Sequence, residues 1–156
     1  MGYLNEFNWS YFAGFIDGDG SFQLIKGKSK ITKTGYKWVA IFYLANANPR
    51  PLKLLQKKVG GKIHAITKGF GPIYYYVATS KALRKMLPKI LPFLIIKKEQ
   101  AQLLLEALFL LKHRYRKERS TTIDDRLEEI AEKMKELKKV RYDWIGKDGI
   151  KLYNSK

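Results

Sequence analysis

The chain has 156 residues, 46% of them hydrophobic, which suits one folded domain with a real core and excludes an intrinsically disordered chain. Thirty-one Lys and Arg against fourteen Asp and Glu leave a net charge of +17, far more than solubility needs, and an excess of that size attracts polyanions. The bases are spread along the chain and not gathered on one amphipathic helix, so nucleic acid comes before an anionic membrane as the partner.

There is no cysteine, so disulfides and thiolate metal sites are excluded. The N-terminal residues do not read as a signal peptide. The longest apolar region, 87–111, is broken by Lys97, Lys98, Glu99, Gln100, Gln102 and Glu106, and reads as a buried helix, not a membrane span. An intracellular location follows as an expectation, with cytoplasm and organelle both open.

In chain order, Asn5 is placed to cap a helix carrying Phe7, Tyr11, Phe12, Phe15 and Ile16 on one stripe and stopping at Asp17-Gly18. Ser21–Lys26 reads as a strand, 27–35 as a basic loop, and Tyr36–Asn46 as a long aromatic and β-branched strand. Asn48–Pro51 turns into a helix with Leu52, Leu55 and Val59 on one side, stopped by Gly60-Gly61. Lys62–Lys68 and Ile73–Thr79 form two strands joined by a hairpin turn. Ser80 caps a short helix to about Leu87, Pro88 and Pro92 break the chain, and a helix apolar nearly all round runs from about Ile96 to Lys112.

Helix, hairpin, helix, hairpin, helix is an α+β order, αββαββα, with a four-stranded antiparallel sheet backed by helices. The reading divides the chain into a core, 1–112, and a C-terminal helical extension and tail, 113–156. That extension opens with a basic linker, His113–Ser120. It continues as a helix with Thr122 and Asp125 in capping positions and Leu127, Ile130, Ala131, Met134 and Leu137 on one face. Trp144, Ile145 and Leu152 in the tail suggest that it packs on the core.

The first helix ends on Asp17-Gly18-Asp19-Gly20. An EF-hand calcium loop counted from Asp17 would need glycine at its sixth position and glutamate at its twelfth, where the chain has Phe22 and Lys28, so that reading fails. A plain helix stop explains the Asp and Gly but not Gly14, one turn earlier, where glycine costs about 0.5–1 kcal/mol relative to alanine. Ala13, Gly14, Asp17 and Gly18 make a small-residue surface on which a second helix could lie at close contact.

The nine residues Phe12–Gly20, "FAGFIDGDG", resemble the LAGLIDADG motif of the homing endonucleases. Single motif, length and charge resemble the homodimeric, group I intron-encoded branch. The resemblance implies the αββαββα fold, with a saddle-shaped sheet, and a dimer in which two motif helices pack through Phe12, Ala13, Gly14, Ile16 and Asp17. It also implies a double-strand break, with short 3′ extensions, in a pseudo-palindromic DNA target of about 20 base pairs. Asp19, with the Gly18 carbonyl, would hold a divalent metal: Mg²⁺, with Mn²⁺ able to substitute and Ca²⁺ binding without supporting cleavage. Asn46 would orient water, and Arg50 and Lys97 would stand near the scissile phosphate, where a cation stabilises developing charge.

A strand of ten residues spans about 33 Å, one turn of duplex, so one sheet can follow about ten base pairs. Alternation sends Lys37, Val39, Ile41 and Tyr43 of the second strand toward DNA, Lys62, His64, Ile66 and Lys68 of the third, and Tyr74 and Tyr76 of the fourth, with Gln23 from the first. Lys26, Lys28, Lys30 and Lys33 are expected to grip phosphates, as is the basic stretch 112–119. An RNA-splicing maturase acting on intron RNA, or a non-catalytic DNA-binding regulator with the same fold, stays open as an alternative. No membrane partner is expected.

Overall fold

The computed structural model describes residues 7–113 and 121–144. Helix α1 spans Trp9–Asp19. Asn8 caps it, its Oδ1 accepting from the N–H groups of Ser10 (2.9 Å) and Tyr11 (3.2 Å); Asn5, the expected cap, lies outside the described residues. The helix runs two residues past its expected stop and closes when the Gly20 N–H bonds to the Ile16 carbonyl at 2.9 Å. A Cβ at position 20 would stand 2.8 Å from that carbonyl and 2.8 Å from the Phe42 ring, so only glycine fits between helix and sheet.

Strands β1 (Ser21–Lys28) and β2 (Tyr36–Asn46) form the first hairpin, from Ser21 opposite Tyr43 to Lys28 opposite Tyr36. Helix α2 follows at Pro49–Val59, capped by Asn48 and burying Leu52, Leu55 and Val59 at the spacing the sequence sets. Strands β3 (Lys62–Lys68) and β4 (Gly71–Thr79) close around a two-residue loop, Gly69–Phe70, with Gly69 at φ 41°, the sign that type II′ hairpin loops need at that position. The sheet order is β1-β2-β4-β3, antiparallel throughout.

Helix α3 spans Ser80–Ile90 and continues through Pro88, where the sequence predicts a break. Proline removes one backbone bond, but Leu83, Met86, Leu87 and Ile90 are all fully buried, and that packing carries the last turn. A single 3₁₀ turn (Leu91–Phe93) leads to α4 (Lys98–His113). Helix α5 spans Thr121–Trp144, so Thr122 and Asp125 fall in its first turns and not at the cap. It lays Leu127, Ile130, Ala131 and Met134 against the core, with Leu137 half-buried. Residues 114–119 of the basic stretch and the tail from Ile145 on lie outside the described residues.

One face of the sheet carries the core. Phe22 and Leu24 of β1, Trp38, Ala40, Phe42 and Leu44 of β2, and Tyr76 and Ala78 of β4 are all buried beneath the helices. Each large apolar side chain so buried contributes about 1.5–3 kcal/mol. The residues between them form a second, open face, half-buried or exposed.

Tyr74 and Tyr76 are on the core face, contrary to the expectation that they face outward. Antiparallel partners share a face, and Tyr76 stands opposite Leu44 and Ile63, whereas Tyr75 stands opposite His64 and Ala45. Tyr76 is fully buried and its hydroxyl donates to the Gly60 carbonyl at 2.7 Å. Its ring lies so close to Gly61, at φ 102°, that a Cβ there would meet it at 2.6 Å.

Burial pushes the Tyr76 phenol well above its ordinary pKa. The unfolded chain therefore ionises this group first, and stability present below about pH 10 is lost as pH rises beyond it. Tyr76→Phe should cost about 0.5–1.5 kcal/mol at neutral pH in urea titrations. It should also lose less stability than wild type between neutrality and alkaline pH; equal losses would show that Tyr76 is not the group responsible.

Candidate functional site

The site begins with the way α1 ends. A helix leaves its last carbonyls unpaired and presents a partial negative charge there, and α1 has no basic residue in its last turn. Lys97, 4% exposed, supplies what is missing. Its Nζ donates to the carbonyls of Ile16 (2.9 Å) and Asp17 (2.6 Å) and lies 3.4 Å from that of Gly18.

Asp17, 7% exposed, returns the service to the segment entering α4. Its Oδ2 accepts from the N–H groups of Ile95 (2.8 Å) and Ile96 (3.2 Å), and its Oδ1 from that of Lys97 (2.9 Å). Two residues eighty positions apart thus cap one another's helix ends. Lys97 is therefore brought to the motif, but with its ammonium engaged on the backbone below Asp19.

The clasp fixes the Gly18-Asp19 step that follows. Asp19 is exposed and its carboxylate has no hydrogen bond or ion pair among the described residues. A carboxylate at a helix C-terminus opposes the dipole and loses about 0.3–1 kcal/mol unless a cation answers it. The Asp19 carboxylate and Gly18 carbonyl are hard oxygen donors of the kind Mg²⁺ and Ca²⁺ take. Among the described residues there is no group of three or more His, Cys, Asp or Glu that could hold a metal ion.

Asn46 and Arg50 lie at the β2–α2 junction. Asn46 is three residues beyond Tyr43, the partner of Ser21, or about 10 Å along the strand. Its Oδ1 accepts from the Asn48 N–H at 2.8 Å, so this oxygen shapes the turn. Arg50, in the first turn of α2, is exposed, and its guanidinium makes no bond among the described residues.

The open face of the sheet carries Gln23 of β1, Lys37, Val39, Ile41 and Tyr43 of β2, and Lys62, His64 and Ile66 of β3; Lys68 ends β3 opposite Gly71. Ile73, Tyr75 and Val77 of β4 complete it, in place of Tyr74 and Tyr76. These three were legible: once Lys62 and His64 point outward, a hairpin loop with an even number of residues sends odd-numbered β4 residues to the same side.

Lys30 and Lys33 are exposed in the loop between β1 and β2. Lys26 is not in that loop. It lies in β1 opposite Trp38, on the helix-bearing face, 2.9 Å from Glu128 of α5 and over the Tyr36 ring at 4.4 Å. The Glu128 carboxylate raises its pKa. Lys28 shares the parity of Lys26, opposite Tyr36. Between Gly20 and Lys98 there are seventeen Lys and Arg and not one Asp or Glu.

Four of the five expected dimer-contact residues are also placed differently. Phe12, Ala13, Ile16 and Asp17 are buried in their own chain, because the large residues of the motif face the sheet and its helices. The outward side of α1 shows Tyr11 (55% exposed), Gly14 and Gly18, with Phe15 half-buried. A Cβ at either glycine would meet nothing within 4 Å. Beside this face, at the turn joined to Asp17, Phe93, Ile95 (85%) and Ile96 (62%) are exposed, an apolar rim that the motif alone did not signal.

Leaving a buried backbone donor or acceptor unsatisfied costs about 1–3 kcal/mol. Lys97→Met and Asp17→Ala should each lose an amount of that order in urea unfolding. The double variant should lose less than the two combined, by about 1–3 kcal/mol; strict additivity would show that the two caps act separately.

The sequence profile of the LAGLIDADG endonuclease family matches residues 12–106. Among solved structures, the chain is similar to the homing endonuclease I-CvuI, in complex with the I-CreI target in the presence of Mg with its DNA not cleaved (TM-score 0.70, 21% identity, 83% of this chain and 80% of that one). It is also similar to the archaeal intron-encoded homing endonuclease I-Vdi141I, complexed with DNA (0.69, 22%, 83% and 82%). A third is the LAGLIDADG homing endonuclease I-SmaMI bound to cleaved DNA (0.63, 25%, 80% and 43%), of which the chain spans less than half the length. No curated protein sequence matches. Motif, sheet topology and a profile match over more than half its length place the chain in the LAGLIDADG endonuclease family.

Proposed function

We propose that the protein is a site-specific, homodimeric DNA endonuclease that makes a double-strand break by metal-dependent phosphodiester hydrolysis. The observation that carries this reading is Asp19: an exposed carboxylate without a partner among the described residues, held against the helix dipole by a buried clasp, immediately before a sheet whose surrounding segment has no acidic residue. A pure DNA binder gains nothing from a carboxylate placed to repel phosphates.

The outward side of α1 suits a second copy of the chain. Gly14 and Gly18 leave room for a close helix, and the rim of Tyr11, Phe93, Ile95 and Ile96 gives the contact apolar area. The match to less than half of I-SmaMI agrees with one chain being half of a two-part enzyme. A two-fold axis along α1 would bring two Asp19 carboxylates and two Gly18 carbonyls together.

With phosphate oxygens these groups would hold Mg²⁺; Mn²⁺ would substitute, and Ca²⁺ would bind without supporting cleavage. The bound ion would supply activated water and stabilise the leaving oxygen. Asp19 would orient that ion, and Arg50, whose guanidinium has no partner among the described residues, would offset charge on the phosphate. Lys97 would act by holding the end of α1 and not by touching DNA. The open faces of the two sheets, each spanning about ten base pairs, would read a target of about 20 with two-fold symmetry.

Cleavage selection from a random duplex library with Mg²⁺ tests the reading. Wild type should cut one long, near-palindromic site, and both Asp19→Asn and EDTA should reduce cutting by about a hundredfold or more. Binding without cutting in any divalent ion would overturn the nuclease reading in favour of a regulator or maturase. Gly14→Leu, whose Cβ would meet nothing within 4 Å, should fold normally and sediment as a monomer in analytical ultracentrifugation. A Gly14→Leu dimer would rule out packing through α1.

A further inference from the structure

The charge of the chain is segregated. The seventeen bases of the acid-free segment account for the whole net charge, because the fourteen bases and fourteen acids elsewhere cancel. Ion pairs gather on α4 and α5: Arg126 with Glu106 (2.7 Å) and Glu129 (2.9 Å), Lys133 with Glu99 (3.0 Å) and Lys135 with Glu132 (2.7 Å). Among the described residues between Gly20 and Lys98, Lys26 is paired with Glu128 at 2.9 Å.

Five other lysines of that segment surround a notch of about 570 Å³ where the end of α2, the start of β3 and the first two turns of α3 meet. Lys57, Lys58, Lys62, Lys81 and Lys85 line it, and no acidic residue does. Lys57, Lys62, Lys81 and Lys85 make no hydrogen bond or ion pair with the described residues, and Lys58 reaches only the Phe7 ring, at 5.7 Å. Five cations around one cavity repel one another, a cost that a polyanion removes. The notch also contains His64, which with Lys62 belongs to the open face, so that face continues around the edge of the sheet into the notch without interruption.

We propose that this notch binds the sugar-phosphate backbone of the DNA beyond the stretch covered by the sheet. The inference rests on the endonuclease reading of the open face. Lysine ammonium groups here would hold phosphates as point charges, adding affinity and register but no sequence preference. Lys57, Lys81 and Lys85 are the residues to test, because they lie on the helices and not on the open face.

The experiment is a salt titration of binding to a random-sequence duplex of about 40 base pairs, followed by fluorescence anisotropy without a cleaving metal. It compares wild type, the triple variant Lys57→Ala/Lys81→Ala/Lys85→Ala, and the triple change to arginine at the same positions. Each phosphate contact contributes about 0.9 to the slope of log affinity against log salt, so the alanine triple, which removes three contacts from each protomer of the dimer, should flatten that slope by about 5.4. The arginine triple should retain the wild-type slope, and cleavage selection should return the same site preference for all three.

An alanine triple with the wild-type slope and a native melting curve would overturn the notch while leaving the nuclease reading intact. Wild type that binds no duplex would overturn the nuclease reading, and the notch with it. Loss of affinity confined to structured RNA would also overturn the proposal and assign the notch to an RNA partner.

Discussion

The reciprocal cap between Asp17 and Lys97 is the constraint on which the candidate site depends. Each residue alone would be a liability, a charged group almost wholly removed from water. Together they satisfy carbonyls at the end of α1 and N–H groups at the entry to α4. The result is a helix end that cannot fray, and Asp19 is its last residue. Placement of this kind, by packed and bonded neighbours and not by a loop, is what a catalytic or metal-binding carboxylate needs if its geometry is to be reproducible.

Much of the architecture was legible because local signals agreed. β2 and β3 have the bounds predicted for them, since aromatic and β-branched runs ended at Asn and Gly on both sides. Leu52, Leu55 and Val59 point inward at helical spacing. Where structure and sequence differ, tertiary packing outweighs a single local signal. Proline at 88 costs a bond but not the helix, because burial outweighs it. Tyr74-Tyr75-Tyr76 carries no alternation of its own, and only its pairing with β2 and β3 decides which ring is buried. Lys26 was assigned by composition, although strand parity puts it opposite Trp38.

The motif shows the same division. Its small residues do mark an outward side of α1, through Gly14 and Gly18. Nothing in nine residues tells which of the larger ones face their own sheet, and here Phe12 and Ile16 do. Nor could the sequence reveal that Asp17 and Lys97 meet, since a contact across eighty residues leaves no periodicity. Charge segregation is open to counting in the sequence and acquires meaning only on the fold, which pairs the acids of α4 and α5 with bases and gathers unanswered lysines where α2, β3 and α3 meet.

The long span of the clasp bears on biosynthesis. The residues that bond Asp17 begin at Ile95, so a chain emerging from the ribosome carries the motif long before it carries the motif's support. Until those residues are in place, the end of α1 keeps unpaired carbonyls and the Asp17 carboxylate has nothing to accept from. Truncated or stalled products would thus present an unanchored Asp19, whose fixed placement arrives only with the segment that enters α4.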